Sequence, residues 1–172
     1  MKNRNNPVYA TGVFSAKKYN NTRFDFEKAS KWLQDTLGID KDNIFLQKAV
    51  MRSVTDKKVY ALTNVALDKI SEQIIGYVKF SEDAYDGVEY HEAWHYVNLL
   101  LHDRQTRDRI YRSFLESHKD LISDDITIAD LEEYIADDFV RYMQDFNDKS
   151  LSSKIKRLYN NVLDFIVVTR RR

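Results

Sequence analysis

Two histidines and a glutamate in one short run have the residue types and spacing of a metal site. Residues 91–95 read His-Glu-Ala-Trp-His, so His91 and His95 are four residues apart. On a helix this spacing projects both imidazoles from one stripe, where they can share one metal ion. Glu92 lies roughly 100° further round the helix, near enough to reach a water on that metal without binding the metal itself. An accidental histidine pair on an amphipathic surface helix is the alternative interpretation.

The residues around this run predict a buried helix. Apolar side chains from Tyr90 to Leu101 cover nearly every direction that the polar residues leave. A helix that is apolar all round is usually buried, and polar groups that face inward from it need partners. A metal cation would satisfy that need. Gly87, four residues before His91, marks a place where another part of the chain could approach the backbone closely.

A later segment carries acidic residues that could complete such a site. A helix is predicted from an N-cap at Thr127 to about Phe146, since its apolar residues recur at helical spacing. Small residues surround Glu133, so another helix could come close enough to share a metal with its carboxylate. Asp137 lies one turn further on the same side, where it could accept a hydrogen bond from a metal-binding histidine. Glu132 faces another direction, and an acidic first turn that suits the helix dipole is the preferred interpretation for it.

The remaining elements are predicted from periodicity and turn residues. Ile74–Phe80 is the clearest strand, because it is rich in β-branched and aromatic residues. Ser81, Asp83 or Asp86 is expected to cap the helix that follows. Val65–Glu72 fits either a helix or a strand. The other predicted elements are helices over Asp25–Gly38, Thr106–Lys119 and Ser152–Val168, and strands over Ile44–Met51 and Val59–Leu62.

These elements predict one α+β domain, mostly helical, with a small N-terminal sheet whose edge strand precedes the helix that carries the histidines. The chain has 172 residues, of which 43% are hydrophobic and 13% aromatic, and this favours a single globular domain over a disordered chain. The domain is expected to span residues 1–172. Residues 1–23 form a poorly defined N-terminal segment, in which Val8, Tyr9, Val13 and Phe14 form a short strand or dock on the body.

Charge and composition exclude several classes of function. The 27 basic and 27 acidic residues cancel, so no overall field favours nucleic acid or an acidic membrane, and the tail Arg170–Arg172 is interpreted as a solvated end. The absence of cysteine excludes disulfides and thiolate zinc sites, which leaves histidine and carboxylate as strong ligands. The N-terminal residues lack the apolar run of a signal peptide, and no apolar stretch has membrane-spanning length. A cytoplasmic or virion-associated protein is expected.

The two motifs together resemble those of the gluzincin metallopeptidases, the thermolysin-like clan. That pattern is H-E-x-x-H on one helix and E-x-x-x-D on a later one, matched here by residues 91–95 and 133–137. The resemblance implies zinc held by His91, His95 and Glu133. It implies Glu92 as the general base and Asp137 as the hydrogen-bond partner of a histidine, most simply His91. The small size and the segment Gly87–Tyr90 before the first motif are also similar, more loosely, to those of compact peptidase domains in phage and mobile-element polyproteins.

The resemblance also implies a strand that binds the substrate and a residue that stabilises the oxyanion. Family members bind substrate at the edge of a strand before the active-site helix, and Ile74–Phe80 is in that place. Thermolysin-like enzymes also stabilise the oxyanion with a histidine or tyrosine from a further domain, and no motif here identifies one. His102 shares the stripe of His91 and His95, but it lies too far along the helix to join the same metal. The weak candidates for the oxyanion role are Tyr96, His118, Tyr134 and Tyr142.

The function expected from these residues is that of a zinc-dependent endopeptidase, in which a zinc-activated water hydrolyses peptide bonds. Its partner would be a protein or peptide substrate, with no nucleic acid and no membrane. The alternative is a non-catalytic metal-binding module of a phage or mobile element that keeps the fold. The missing oxyanion donor favours that alternative, whereas Glu92 opposes it, because structural zinc has no use for a free carboxylate there.

Overall fold

The structure is a computed structural model that describes residues 23–48, 51–52, 58–68, 73–119, 122–123 and 125–144, together with 156, 157, 159–161, 163 and 164. The predicted N-terminal strand at Val8, Tyr9, Val13 and Phe14 and the arginine tail lie outside the described residues. The predicted last helix, Ser152–Val168, lies partly outside them, and its described residues are helical.

The described chain is a mixed α+β domain, so the predicted fold class is confirmed. Its helices are α1 (Phe26–Leu37), α2 (Val88–Leu100), α3 (Arg104–His118) and α4 (Ile128–Gln144), with a short 3₁₀ helix over Lys41–Asn43. Its strands are β1 (Ile44–Gln47), β2 (Met51–Arg52), β3 (Lys58–Val59), β4 (Ala61–Asp68) and β5 (Gln73–Ser81). The predicted strand Ile44–Met51 is thus divided between β1 and β2, and Val65 belongs to a strand rather than a helix.

The main sheet has the strand order β1–β5–β4. β1 runs parallel to the second half of β5, and β4 runs antiparallel along nearly its whole length. β2 and β3 form a separate antiparallel pair. The expectation that Ile74–Phe80 forms the edge of the sheet is therefore wrong, because this strand is central. The composition of Ile74–Phe80 identifies a strand, but it does not show which sides of the strand are paired. The edge strand beside α2 is β4.

The helices begin and end at residues that local physical chemistry selects. Asp25 caps α1 by accepting a hydrogen bond from the amide of Lys28 at 3.0 Å, and Gly38 ends it with a left-handed φ of 70°. Thr127 caps α4, since its hydroxyl accepts from the amide of Asp130 at 3.1 Å and donates to the carboxylate of that residue at 2.6 Å. These two boundaries agree with the pattern in the sequence.

The start of α2 differs from the prediction. None of Ser81, Asp83 and Asp86 caps it; the N-cap is Gly87, whose φ of 93° favours glycine and whose amide bonds to the carboxylate of Glu89 at 3.0 Å. A side chain at residue 87 would collide with Gln144 of α4. Gly87 therefore lets the first turn of α2 approach the end of α4.

α2 lies between two hydrophobic clusters. Val88 and Ala93 pack with the sheet and α1, whereas Trp94 and Val97 pack with α3, α4 and Tyr159. The helix is not covered all round as expected, since Leu99 is 47% exposed. Because two of its faces are buried against different partners, the rotation of α2 about its axis is fixed. No helix within the described ranges has both the length and the apolar character needed to cross a bilayer.

Gly76 sets how closely α2 packs on the central strand. A Cβ at this residue would overlap the side chains of Tyr96 and Leu100 on α2. We expect Gly76→Ala to lower the free energy of unfolding by about 1–3 kcal/mol, the usual cost of overpacking. Chemical denaturation monitored by circular dichroism measures this. A Gly76→Ala protein as stable as the wild type would contradict such close packing of helix and strand.

Candidate metal centre

α2 presents its two histidines from one stripe, one turn apart. Their Nε2 atoms lie 3.1 Å from each other, and their side chains are only 12% and 18% exposed. This confirms that the spacing in the sequence brings the two imidazoles together. Two ring nitrogens so close repel each other as lone pairs unless a proton or a cation lies between them.

Glu133 reaches this pair from α4. Its Oε2 lies 3.3 Å from Nε2 of His91, and its Oε1 lies 3.3 Å from Nε2 of His95. One ligand atom from each of the three residues lies within 4.8 Å of the others, an arrangement that can hold one metal ion. The close approach of the helices is helped by Ala136, a small and fully buried residue of α4. The Glu133 side chain is 64% exposed, so the cluster opens to solvent on that side.

Asp137 lies beside the first histidine. Nδ1 of His91 is 2.9 Å from Oδ1 of Asp137, and since a carboxylate can only accept, the Nδ1–H donates. Nε2 then faces the centre of the cluster, where the neutral ring offers a lone pair. The carboxylate thus selects the tautomer and the ring orientation that metal binding requires. The structure places Asp137 where the sequence motif predicts it.

Glu132 lies on the other side of the site, and the sequence interpretation of it as a helix-dipole residue is incomplete. Its Oε2 is 3.9 Å from Nδ1 of His95, and its Oε1 accepts hydrogen bonds from Tyr111 and, at 2.5 Å, from Asn98. Each histidine therefore has a carboxylate next to the nitrogen that faces away from the cluster. The sequence held one indication of this role of Glu132. It is the neighbour of Glu133 on the same helix, and two successive residues there can both reach the pair His91 and His95.

Glu92 is buried beside the cluster and 3% exposed. Its Oε2 accepts a hydrogen bond from the hydroxyl of Thr63 at 2.7 Å. Thr63 belongs to β4, and sequence reasoning missed it because only the pairing of β4 with β5 brings it to α2. Among the described residues, the group whose ligand atoms could share one ion consists of His91, His95 and Glu133, without Glu92. The charge of Glu92 contributes to the raised pKa of both histidines, so its carboxylate lies near the ligand atoms without being one of them.

The candidates for an oxyanion donor are not brought into the cluster by the described contacts. His118 stacks on Phe114 and bonds its carbonyl, and Tyr142 donates to Asn160 at 2.5 Å. Burial raises the pKa of Tyr85 well above its usual value, and the charges of Asp137, Glu92 and Glu133 add to this. Tyr85 is thus within electrostatic reach of the site, and sequence reasoning did not select it.

His102 takes no part in the cluster. Its Nδ1 lies 3.3 Å from Oδ1 of Asn98, and its ring packs edge-on against Trp94. Burial, together with the charge of Arg107, lowers its pKa. His102 is therefore a buried neutral histidine just after α2, and it lies outside the cluster, as its distance along the chain from His95 predicts.

Carboxylates dominate the electrostatics of the metal-free site. Burial lowers the pKa of His91, but Asp137 and Glu133 raise it well above its usual value. Burial also lowers the pKa of His95, but the hydrogen bonds to Glu132 and Glu133 raise it to about 9. The pKa of Glu133 falls far below its usual range, because hydrogen bonds from both histidines outweigh burial. Without a metal ion the cluster therefore holds protons at neutral pH, in the place where it would hold a cation.

Comparison of the chain with protein-family models, with curated proteins and with solved structures found no match in any of the three. The resemblance to gluzincins therefore rests on the two motifs and on the geometry that joins them.

The neighbours Glu132 and Glu133 provide a matched pair of variants. Glu133→Gln should abolish metal binding, because it removes a ligand, whereas Glu132→Gln should weaken the affinity by roughly 10- to 100-fold, the usual effect of removing an outer carboxylate. Isothermal titration with zinc ions as the probe measures both. Stronger loss in Glu132→Gln than in Glu133→Gln would contradict the assignment of the ligand.

Metal affinity should rise with pH from about 6.5 to about 9, since binding must displace the His95 proton. We expect a change of roughly tenfold per pH unit for each proton displaced, measured by competition with a chelator. An affinity independent of pH over this interval would contradict the raised histidine pKa values.

The same protons affect the stability of the metal-free protein. A histidine with a raised pKa stabilises the fold fully below its unfolded value of 6.5, and this contribution is lost as the pH rises through about 9. The melting temperature of the metal-free protein should therefore fall over this interval. His95→Gln should show a smaller fall.

Proposed function

We propose that this chain is a zinc-dependent endopeptidase of the gluzincin type. The observation that carries the proposal is the combination of two arrangements around α2. His91, His95 and Glu133 offer three ligand atoms to one ion on a side open to solvent. The carboxylate of Glu92 is buried, bound by the hydroxyl of Thr63, and is not one of these ligand atoms, so we assign to it the role of the base. Three protein ligands with an open position are typical of catalytic metal sites, whereas structural sites are closed by a fourth ligand.

The spacing of the ligand atoms supports zinc as the ion. Tetrahedral zinc with bonds of about 2.0–2.1 Å has neighbouring ligand atoms roughly 3.3 Å apart. Here the histidine nitrogens lie 3.1 Å apart, and each lies 3.3 Å from a different oxygen of Glu133, so either carboxylate oxygen lies near one of the nitrogens at about this spacing. Two imidazoles and one carboxylate are also a donor set that zinc accepts in hydrolases.

Each residue of the site has a distinct task in the proposed reaction. When bound, zinc would supply Lewis acidity that makes a water molecule more acidic and polarises the carbonyl of the peptide bond. Glu92 takes the proton of that water as it attacks the carbonyl, and later delivers the proton to the departing amine. Asp137 and Glu132 keep the two imidazoles oriented toward the ion.

The edge of the main sheet offers a place for an extended peptide. The amide of Ser81 bonds to the carbonyl of Tyr60 at 2.8 Å across the β4–β5 pair. Because bonded and non-bonded residues alternate in antiparallel pairs, the main-chain groups of Ala61, Thr63 and Val65 point away from β5. A substrate strand added there would lie beside Glu92, and we assign to β4 the substrate role that the sequence assigned to Ile74–Phe80.

The resemblance to phage and mobile-element domains narrows the proposed substrate to a protein of such an element, cut inside a cell or a virion. A metal-binding module without turnover is the competing function. The two share the metal cluster and differ only in whether Glu92 moves protons, so the test concentrates on that residue.

Glu92→Gln should keep the fold and the zinc and lose cleavage. Glutamine preserves size and polarity but cannot accept the proton of water, and loss of a general base costs about 10²- to 10⁴-fold in rate. Cleavage of casein, followed by gel electrophoresis and mass spectrometry, measures activity, and atomic emission measures zinc. Glu89→Gln is the matched control, because Glu89 is a buried carboxylate on the same helix that bonds only near its own turn in the described contacts.

The outcome separates the two functions. Cleavage by wild type and Glu89→Gln, but not by Glu92→Gln, would support the endopeptidase. If all three proteins carry zinc and are equally inert toward several unfolded substrates, the endopeptidase is rejected and the metal-binding module remains.

A further inference from the structure

Thr63 makes a contact that the metal site does not require. Its hydroxyl lies 2.7 Å from Oε2 of Glu92 and 3.1 Å from the main-chain oxygen of the same residue. A hydroxyl has one proton to donate, and the shorter contact to the charged carboxylate is the stronger hydrogen bond. Thr63 thus binds the carboxylate of the proposed base from a different element, β4.

The position of Thr63 in the sheet gives it two directions of contact. It pairs with Val78, a buried residue of the face that packs on α2, so its side chain points to the helix. Its main-chain groups point away from β5, toward the edge where a peptide could add. Thr63 therefore lies between the edge of the sheet and the base.

Burial makes this contact consequential for Glu92. A carboxylate that is 3% exposed needs hydrogen-bond donors, and a carboxylate with one oxygen bound loses much of its freedom to rotate. The second oxygen is then presented in a defined direction. Valine has nearly the shape of threonine but no hydroxyl, so it would fill the space without orienting the carboxylate.

We propose that Thr63 is a positioning residue, which holds the carboxylate of Glu92 in the orientation needed to take a proton from water at the metal site. This inference rests on the proposed function for its role in turnover. It adds a residue that neither motif contains. The base would thereby be fixed to the strand that binds the substrate, so that the distance and orientation of the carboxylate relative to the bound peptide would stay constant.

Three variants of the full chain, each loaded with zinc, test the role in catalysis. Thr63→Val should lower kcat by about 10- to 100-fold, the effect of losing a hydrogen bond to a charged group, with KM and zinc content unchanged. Thr63→Ser keeps the hydroxyl and should restore most of kcat. Thr36→Val makes the same change on α1, which supplies none of the residues of the site, and should behave as the wild type.

A second measurement needs no turnover. Acetohydroxamic acid binds metal ions through two oxygens and shares its acidic proton with a nearby base, so its affinity reports the orientation of Glu92. In the cobalt-loaded protein the visible spectrum should show weaker binding in Glu92→Gln, and about 3- to 10-fold weaker binding in Thr63→Val than in Thr63→Ser.

The two measurements distinguish the possible failures. If Thr63→Val cleaves and binds acetohydroxamic acid like the wild type while Glu92→Gln does neither, the positioning role is overturned and the endopeptidase stands. If no protein cleaves but the order of acetohydroxamic acid affinities holds, the endopeptidase fails and Thr63 still positions Glu92. A wild type that binds no metal overturns both. Equal defects in Thr63→Val and Thr63→Ser would also overturn the role of the hydroxyl.

Discussion

The packing of α2 between two hydrophobic clusters is the constraint on which the site depends. Ala93 is buried toward the sheet and Trp94 toward α3 and α4, so the helix cannot turn about its axis without exposing one of them. Its remaining stripe carries His91 and His95. The direction in which the imidazoles point is therefore set by apolar burial, and the site is built on a rigid element rather than on a loop.

Close approach of the neighbouring elements turns this rigid helix into a site. Because Gly76 has no side chain, α2 can pack closely on the central strand. Ala136 is buried where α4 packs against α2. Larger residues at either place would separate the elements that carry the two histidines, Glu133 and Glu92. The distances near 3.3 Å among the ligand atoms thus depend on small residues that have no chemistry of their own.

The site gathers more negative charge than two neutral imidazoles can balance. Burial opposes charge on His91 and His95, yet the surrounding carboxylates raise both pKa values above the usual range. In the metal-free protein, protons supply the balancing charge. A divalent cation would replace them with a charge among the three ligand atoms, and its binding would then be coupled to proton release and to stability.

The sequence by itself determined the α+β class, the helix that bears His91 and His95, and the helix that bears Glu133. These follow from local periodicity, caps and a four-residue spacing, which act within a few turns of one element. The position of β5 in the centre of the sheet, the contact of Thr63 with Glu92 and the approach of Glu132 to His95 were decided only by the tertiary structure. Each depends on which strand or helix becomes a neighbour, and pairing between distant segments leaves no period in the sequence of either one.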